Sequence, residues 1–176
     1  MGKVNLCIAA SLDGYIADSN GSVDFLFEKK RVDPDPEYHA FFEEVENILF
    51  GRVSYDQIVN EISPEKWLYP GKKCYVFTQD KTAKDDNVIF TDSTPKAFVE
   101  EIAAKSAGTT WLFGGAKLIR SFMEEDLIDQ YWIYTMPVLL GAGVPLFSPS
   151  GERFDLSLVS TSRVDGIVKA FYERIR

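Results

Sequence analysis

The residues with the greatest capacity for chemistry stand at the ends of apolar runs. Trp111-Leu112-Phe113 passes into Gly114-Gly115-Ala116-Lys117, after which Leu118, Ile119, Phe122 and Met123 recur on one helical face. This reads as strand, tight turn and helix, a junction that points free backbone N–H groups at whatever lies above it. Glycine lets an anion approach the backbone, and the helix N-terminus adds partial positive charge, so phosphate or pyrophosphate is the natural guest. The same Gly-Gly also serves as plain turn geometry, because the stretch has neither a GxGxxG fingerprint nor a GK[ST] ending. A second junction runs from Asn47-Ile48-Leu49-Phe50 into Gly51-Arg52-Val53-Ser54 and sets an arginine and a hydroxyl at a helix start. An arginine fork suits a phosphate. A third strand, Lys73 to Phe77, opens on Thr78-Gln79.

Two carboxylates are candidates for proton transfer. Asp13 precedes Gly14 in a polar loop, and Glu37 follows Pro36 in the first turn of an expected helix. If either lines a dry cleft, apolar neighbours would raise its pKa into a useful range. Each also has a structural role open to it: an aspartate before glycine forms turns, and a glutamate early in a helix is favoured by the dipole. His39, the single histidine, reads as a surface position near Asp35 and Glu43. Cys7 and Cys74 lie inside apolar runs without metal-ligand spacing and read as buried small hydrophobes, so neither a disulfide nor a metal is expected.

These residues need a sheet to position them. Val4 to Ala10 is a near-continuous apolar run, the mark of a strand covered on both faces. Lys29 to Pro36 is a connector, since its prolines disfavour helix. A helix then starts at Pro36, capped by Asp35, with Tyr38, Phe41, Phe42 and Val45 on its apolar face. A further helix starts near Ser54; Val88 to Thr91 is a short strand; Thr94-Pro95 begins a helix through Ala104. Leu127 to Leu140 reads as a long strand followed by the glycine-rich loop Gly141 to Phe147. Leu156 to Arg163 and Ile167 to Ile175 form a hairpin at Val164-Asp165-Gly166. Early alternation of strands and helices with a hairpin at the end predicts an α/β domain of three layers, its central sheet mixed and mostly parallel with antiparallel C-terminal strands. In such sheets the ligand site lies beyond the carboxyl ends of the strands, where the donors above are found.

The 176 residues, 45% hydrophobic and 26% charged, suit one domain over 1–176. Nineteen basic against 27 acidic residues, with no basic stripe, speak against a nucleic-acid partner, while Arg52 and Lys117 point to a small anionic ligand. No leader or membrane span is evident, and a cytoplasmic protein is expected. The apolar succession Tyr131-Trp132-Ile133-Tyr134 suggests a homodimer surface.

Taken in order, Ala10-Ser11-Leu12-Asp13-Gly14-Tyr15-Ile16-Ala17, Leu49 to Tyr55, Phe113 to Met123, Asp126-Leu127-Ile128-Asp129 and Pro137 to Phe147 resemble the dihydrofolate reductase-like superfamily. The likeness is nearer still to the C-terminal reductase domain of the riboflavin-biosynthesis deaminase-reductase. That resemblance implies NADPH binding and hydride transfer to a small heterocycle, pterin- or aminopyrimidine-like, or to a carbonyl. It implies that Gly51, Arg52 and Ser54 meet the adenosine and pyrophosphate side, and that Thr78 and Gln79 lie near the 2′-phosphate. It further implies that Gly114, Gly115, Ala116, Lys117 and Leu118 hold the pyrophosphate, with Ala10 and Ile16 near the nicotinamide. Glu37 would fall near the carboxylate that supports protonation in folate reductases, although Pro34-Asp35-Pro36 replaces the Trp-x-Leu-Pro segment usual there. A non-catalytic NADPH-binding sensor of the same fold is the alternative.

Overall fold

The computed structural model describes residues 2–27, 35–149 and 151–176. Of the expected connector only Asp35 and Pro36 lie among them, so the basic triplet Lys29-Lys30-Arg31 is outside the described residues. The chain runs β1 (Val4–Ser11), β2 (Tyr15–Ala17), α1 (Pro36–Glu44), β3 (Val45–Gly51), α2 (Arg52–Gln57), β4 (Lys73–Phe77) and β5 (Ile89–Thr91). It continues through α3 (Pro95–Glu101), β6 (Thr109–Gly114), α4 (Ala116–Glu124), β7 (Gln130–Met136), β8 (Val144–Pro145), β9 (Leu156–Val164) and β10 (Ile167–Arg174). Eight strands form one sheet in the order β5-β4-β3-β6-β1-β7-β10-β9, and β2 pairs with β8 in a separate ribbon. Strands β5 through β7 are mutually parallel in that order; β10 runs antiparallel to both β7 and β9. The expected three-layer, mostly parallel sheet with an antiparallel C-terminal hairpin is therefore the fold.

β1 sits in the middle, which is why its sequence is apolar on both faces. Leu6 joins one core with Leu49, Leu112, Ile119 and Phe122, beneath α3 and α4. Its neighbour Cys7 joins the opposite core with Phe41, Ile48, Phe50 and Trp111, beneath α1 and α2. The parallel register keeps the faces separate: Leu6 pairs with Leu112 on one side and Tyr131 on the other. α4 buries Leu118, Ile119 and Phe122, as its spacing requires. The hairpin turns through Asp165 and Gly166, both with left-handed φ, which suits the tight twist of a two-residue connection.

Several boundaries differ from expectation. Val45 is the first residue of β3 rather than the last of a helix, because α1 stops at Glu44 and Val45 enters the sheet. α2 starts at Arg52, directly on Gly51, and continues as a π-helical turn over Ile58–Ile62. β7 is shorter than the apolar run around it, and Val144–Pro145 in the glycine-rich loop form β8. β7 lies between β1 and β10, so Tyr131 to Tyr134 are inside the sheet: Tyr131 faces one core and Trp132 the other, where it stacks on Phe171. That succession is apolar because it is covered by this chain itself. No helix among the described residues is long and apolar enough to cross a membrane.

Phe122 is fully buried, with its ring 5.9 Å from that of Phe77, and it seats α4 on the sheet. Phe122→Ala is expected to lower unfolding stability by about 3–5 kcal/mol, as cavity-forming aromatic truncations do. Urea denaturation measures this; a loss below about 1 kcal/mol would show that α4 is held otherwise.

Candidate functional site

Two strand-glycine-helix junctions lie against each other at the carboxyl edge of the sheet. A Cβ placed on Gly51, before α2, would stand 3.3 Å from the Gly115 nitrogen and 3.7 Å from the Leu118 Cβ. One placed on Gly115, before α4, would stand 3.1 Å from the Ser54 Oγ. Side chains larger than glycine would push the junctions apart. The Gly114–Gly115 peptide is cis, and Gly114 sits at φ +120°, a conformation that L side chains rarely adopt. The two helices also lack side-chain caps, whereas α1 and α3 are capped by Asp35 and Thr94. Their first N–H groups are thus left for another acceptor.

These junctions wall one part of a cavity of about 1080 Å³, roomy enough for a dinucleotide portion and a small second molecule. Of the residues expected at a cofactor, Ile16, Gly51, Arg52, Ser54, Thr78 and Gln79 line it. So do Gly115, Ala116, Lys117 and Leu118. Ala10 and Gly114 are not on the lining: both are buried in the sheet, and Ile8 and Ala9 present β1 to the cavity instead. Thr91, Asp92 and Ser93, at the end of β5, also face it. They carry the same signal in the sequence as Thr78-Gln79, polar groups at the end of a short strand. Arg52 is fixed by two carboxylates: its Nε donates to both Asp56 oxygens at 2.9 Å, and its Nη1 donates to Asp80 Oδ2 at 3.2 Å.

The rest of the cavity is an aromatic chamber. Tyr38 from α1, Tyr69 from the segment before β4, Trp111 and Phe113 from β6 and Tyr134 from β7 line it, beside Cys7. Trp111 holds this group together, with ring centroids 6.1 Å from Tyr38, 5.7 Å from Tyr69 and 5.2 Å from Phe113. Its indole N–H donates to the Cys7 carbonyl at 2.9 Å. Burial pushes the Tyr38 hydroxyl up to about 12 and the Cys7 thiol higher, so Cys7 is a neutral wall residue rather than a nucleophile. Sequence reading missed the chamber because its aromatics come from elements far apart in the chain.

Neither candidate carboxylate lines the cavity. Asp13 is a clamp between the β1–β2 turn and the glycine-rich loop. It accepts from Ser11 Oγ at 2.6 Å and from the backbone N–H groups of Leu140 at 3.1 Å and Gly141 at 2.7 Å. These bonds, that of Ser11 foremost, hold its carboxyl below the ordinary range, the opposite of the rise a dry cleft would cause. Glu37 accepts from Ser162 Oγ at 2.8 Å and pairs with Lys169 Nζ, which also donates to Asp35 Oδ1 at 2.8 Å. Asp35 in turn caps α1 through the N–H groups of Glu37 and Tyr38. The lysine hydrogen bond, followed by that of Ser162, holds Glu37 low; for Asp35, burial pushes upward but Lys169 and the backbone donors prevail. Lys169, itself buried, is held up by the two carboxylates against the pull of burial. His39 is exposed on α1.

The profile described as the RibD C-terminal domain matches residues 2–169. The Bacillus subtilis (strain 168) protein YwjB is 35% identical over 173 residues, spanning 98% of this chain and 98% of its own. Among solved structures, a Shewanella sp. PV-4 protein named for riboflavin biosynthesis is 30% identical and superposes over 100% of both chains with a TM-score of 0.87. A Thermotoga maritima diaminohydroxyphosphoribosylaminopyrimidine deaminase/5-amino-6-(5-phosphoribosylamino)uracil reductase shares the fold at 16% identity and a TM-score of 0.73. The match spans 99% of this chain and 57% of that one.

The Asp35–Lys169–Glu37 cluster ties α1 to β10, and its contribution depends on pH with a definite sign. Both carboxyls titrate below their ordinary values near 4 and the lysine above its ordinary value near 10.4. The cluster therefore stabilises fully between those pH values, and the stability is lost as pH falls through the lowered carboxyl values or rises through the raised lysine value. Lys169→Met is expected to cost roughly 3 kcal/mol at pH 7, because two carboxylates are left without their cation. That loss should shrink as the pH approaches 2.5. Urea midpoints across this range decide it, and a loss that stays constant with pH would assign the effect to packing of the lysine stem.

Proposed function

We propose, because the chain belongs to the RibD C-terminal domain family, that it is an NADPH-dependent reductase of a small planar heterocycle or carbonyl compound. The observation that carries this reading is the pair of uncapped helix starts packed together at Gly51 and Gly115, opening on a cavity that continues into an aromatic chamber. A nicotinamide dinucleotide fits these residues. Backbone N–H groups at Gly115 to Leu118 would take the pyrophosphate, with Ser54 beside them, and Thr78, Gln79 and Arg52 would surround the adenosine phosphate. Ile16 and Ala17 would cover the nicotinamide side and keep water out. Bound NADPH would supply a hydride. The chain's own part is to place the substrate in the chamber, where Trp111 and Tyr38 provide flat apolar walls.

One observation favours the sensor alternative. The charged side chains that line the cavity, among the described residues, are Arg52, Asp92 and Lys117, and none of them is an acid in the chamber. Turnover separates the readings. NADPH consumption with dihydropterins, aminouracils or aromatic aldehydes is expected from a reductase, and tight NADPH binding with silence across the panel would identify a sensor.

NADPH is expected to quench tryptophan fluorescence through Trp111 on the cavity wall. Arg52→Ala should weaken NADPH about tenfold, the worth of a charge-assisted contact, and NADH much less. Equal losses for the two would remove Arg52 from the 2′-phosphate. Failure of either nucleotide to bind at millimolar concentration would overturn the reductase reading itself.

The homodimer belongs to the same reading, with its surface moved from β7 to β9. β9 ends the sheet with an edge unpaired among the described residues, and it exposes Leu158 and Val159 by 55% and 51%. Light scattering should give about twice 19.9 kDa, and Leu158→Lys should return the monomer. A monomeric native chain would discard the interface.

A further inference from the structure

Beyond the aromatic chamber the cavity is lined by apolar side chains that the fold leaves uncovered. Phe27, Ile62 and Leu68 line it and yet are 60%, 37% and 41% exposed. Each extends a wall outward. Leu68 adjoins Tyr69, and Ile62 stands four residues beyond Ile58; Tyr69 and Ile58 are both buried in the core that holds Trp111. Phe27 lies in the segment after β2, of which Val23 and Leu26 also line the cavity. Gln57 of α2 ties that segment down, its Nε2 donating to the Gly21 carbonyl at 2.6 Å, so the two segments border the same opening. Single exposed apolar residues need no explanation, but three large ones on the wall of one cavity mark a surface that a ligand covers.

The chemistry of that ligand is restricted by what stands nearby. The groups suited to a dinucleotide, Ser54, Thr78, Gln79 and Gly115 to Leu118, are at strand ends and helix starts. Ile62 lies ten residues along from Arg52, through α2 and its π-helical turn. At a helical rise that is on the order of 15 Å from the rim at Gly51. The charges on the two segments, 21–27 and 58–69, are Asp24, Glu61, Glu65 and Lys66, all exposed. Three carboxylates against one ammonium oppose an anionic substituent, and an ionised group laid on Phe27, Ile62 and Leu68 would surrender its hydration to apolar surface.

We propose that the ring held in the chamber carries an uncharged apolar arm, an alkyl or aryl substituent, and that Phe27, Ile62 and Leu68 form the shelf on which the arm lies. The substrate class is then a lipophilic ring compound, and an arm bearing phosphate or carboxylate is selected against. This rests on the reductase reading for the guest's being a substrate; the preference for an apolar arm stands on the surface alone.

The test is a calorimetric series of 4-methyl-, 4-ethyl-, 4-propyl- and 4-butylbenzaldehyde, with 4-formylbenzoate as the charged congener, titrated without nucleotide. The proteins are the native chain, the Ile62→Ser/Leu68→Ser double variant and Phe27→Ser, each checked for folding by its urea midpoint. Affinity for the native chain should rise roughly 2- to 4-fold per methylene, the worth of a methylene partly to fully removed from water. The charged congener should bind at least about tenfold more weakly than 4-ethylbenzaldehyde, which is of similar size. In the variants the rise should fall below about 1.5-fold per methylene, whereas non-specific partition of the longer chains would raise affinity in all three proteins alike. The proposal is overturned if the native series is flat, if 4-formylbenzoate binds as tightly as the ethyl compound, if folded variants keep the native slope, or if no aldehyde binds. NADPH consumption with a flat series would keep the reductase and sink the shelf; a rising series with no NADPH binding would do the reverse.

Discussion

The close approach of Gly51 to Gly115 is the contact on which the site depends. β3 and β6 are hydrogen-bonded neighbours, and each runs through glycine into a helix, Gly51 directly before α2 and Gly114-Gly115 before α4. With a Cβ at Gly51 only 3.3 Å from the Gly115 nitrogen, the two turns tolerate no side chain between them. Because the helices leave the sheet on opposite faces, α2 over one core and α4 over the other, the turns form a rim rather than a stack. Their N-termini therefore converge on one opening, and neither is closed by a capping side chain. Partial positive charge concentrated in that way favours an anion and is costly to leave facing an apolar wall.

Much of this rim was legible in the sequence because each part is a local pattern. At two junctions an apolar run, a glycine and a helical face fall within a dozen residues, a third run ends in Thr78-Gln79, and the parallel sheet aligns all three at one edge. The sheet order itself was legible only in outline: alternation of strands and helices implies parallel pairing, but it does not place β1 between β6 and β7. That placement explains the apolar succession Tyr131 to Tyr134 as interior strand. A strand covered on both faces by its own chain and one covered by a partner carry the same composition. The long-range contacts decide between them, and no local pattern records those.

The two carboxylates show the same limit from the side of chemistry. A reactive acid and a structural one have identical side chains, and they differ in what surrounds them. Asp13 gathers three donors from its own turn and the glycine-rich loop, and Glu37 gathers a lysine and a serine from the C-terminal hairpin more than a hundred residues away. Such donors favour the ionised form and lower the pKa, whereas proton donation to a substrate requires a raised one. Both are thereby spent on geometry: Asp13 holds the loop that brings Val144 to the cavity, and the Asp35–Lys169–Glu37 cluster holds the helix that brings Tyr38.

This division of labour bears on how the chamber can discriminate among guests. With its carboxylates committed elsewhere, the chamber's recognition rests on shape, on aromatic surface and on hydroxyl groups. Apolar walls alone separate molecules weakly, since one methylene more or less is worth only about 1–3 kcal/mol.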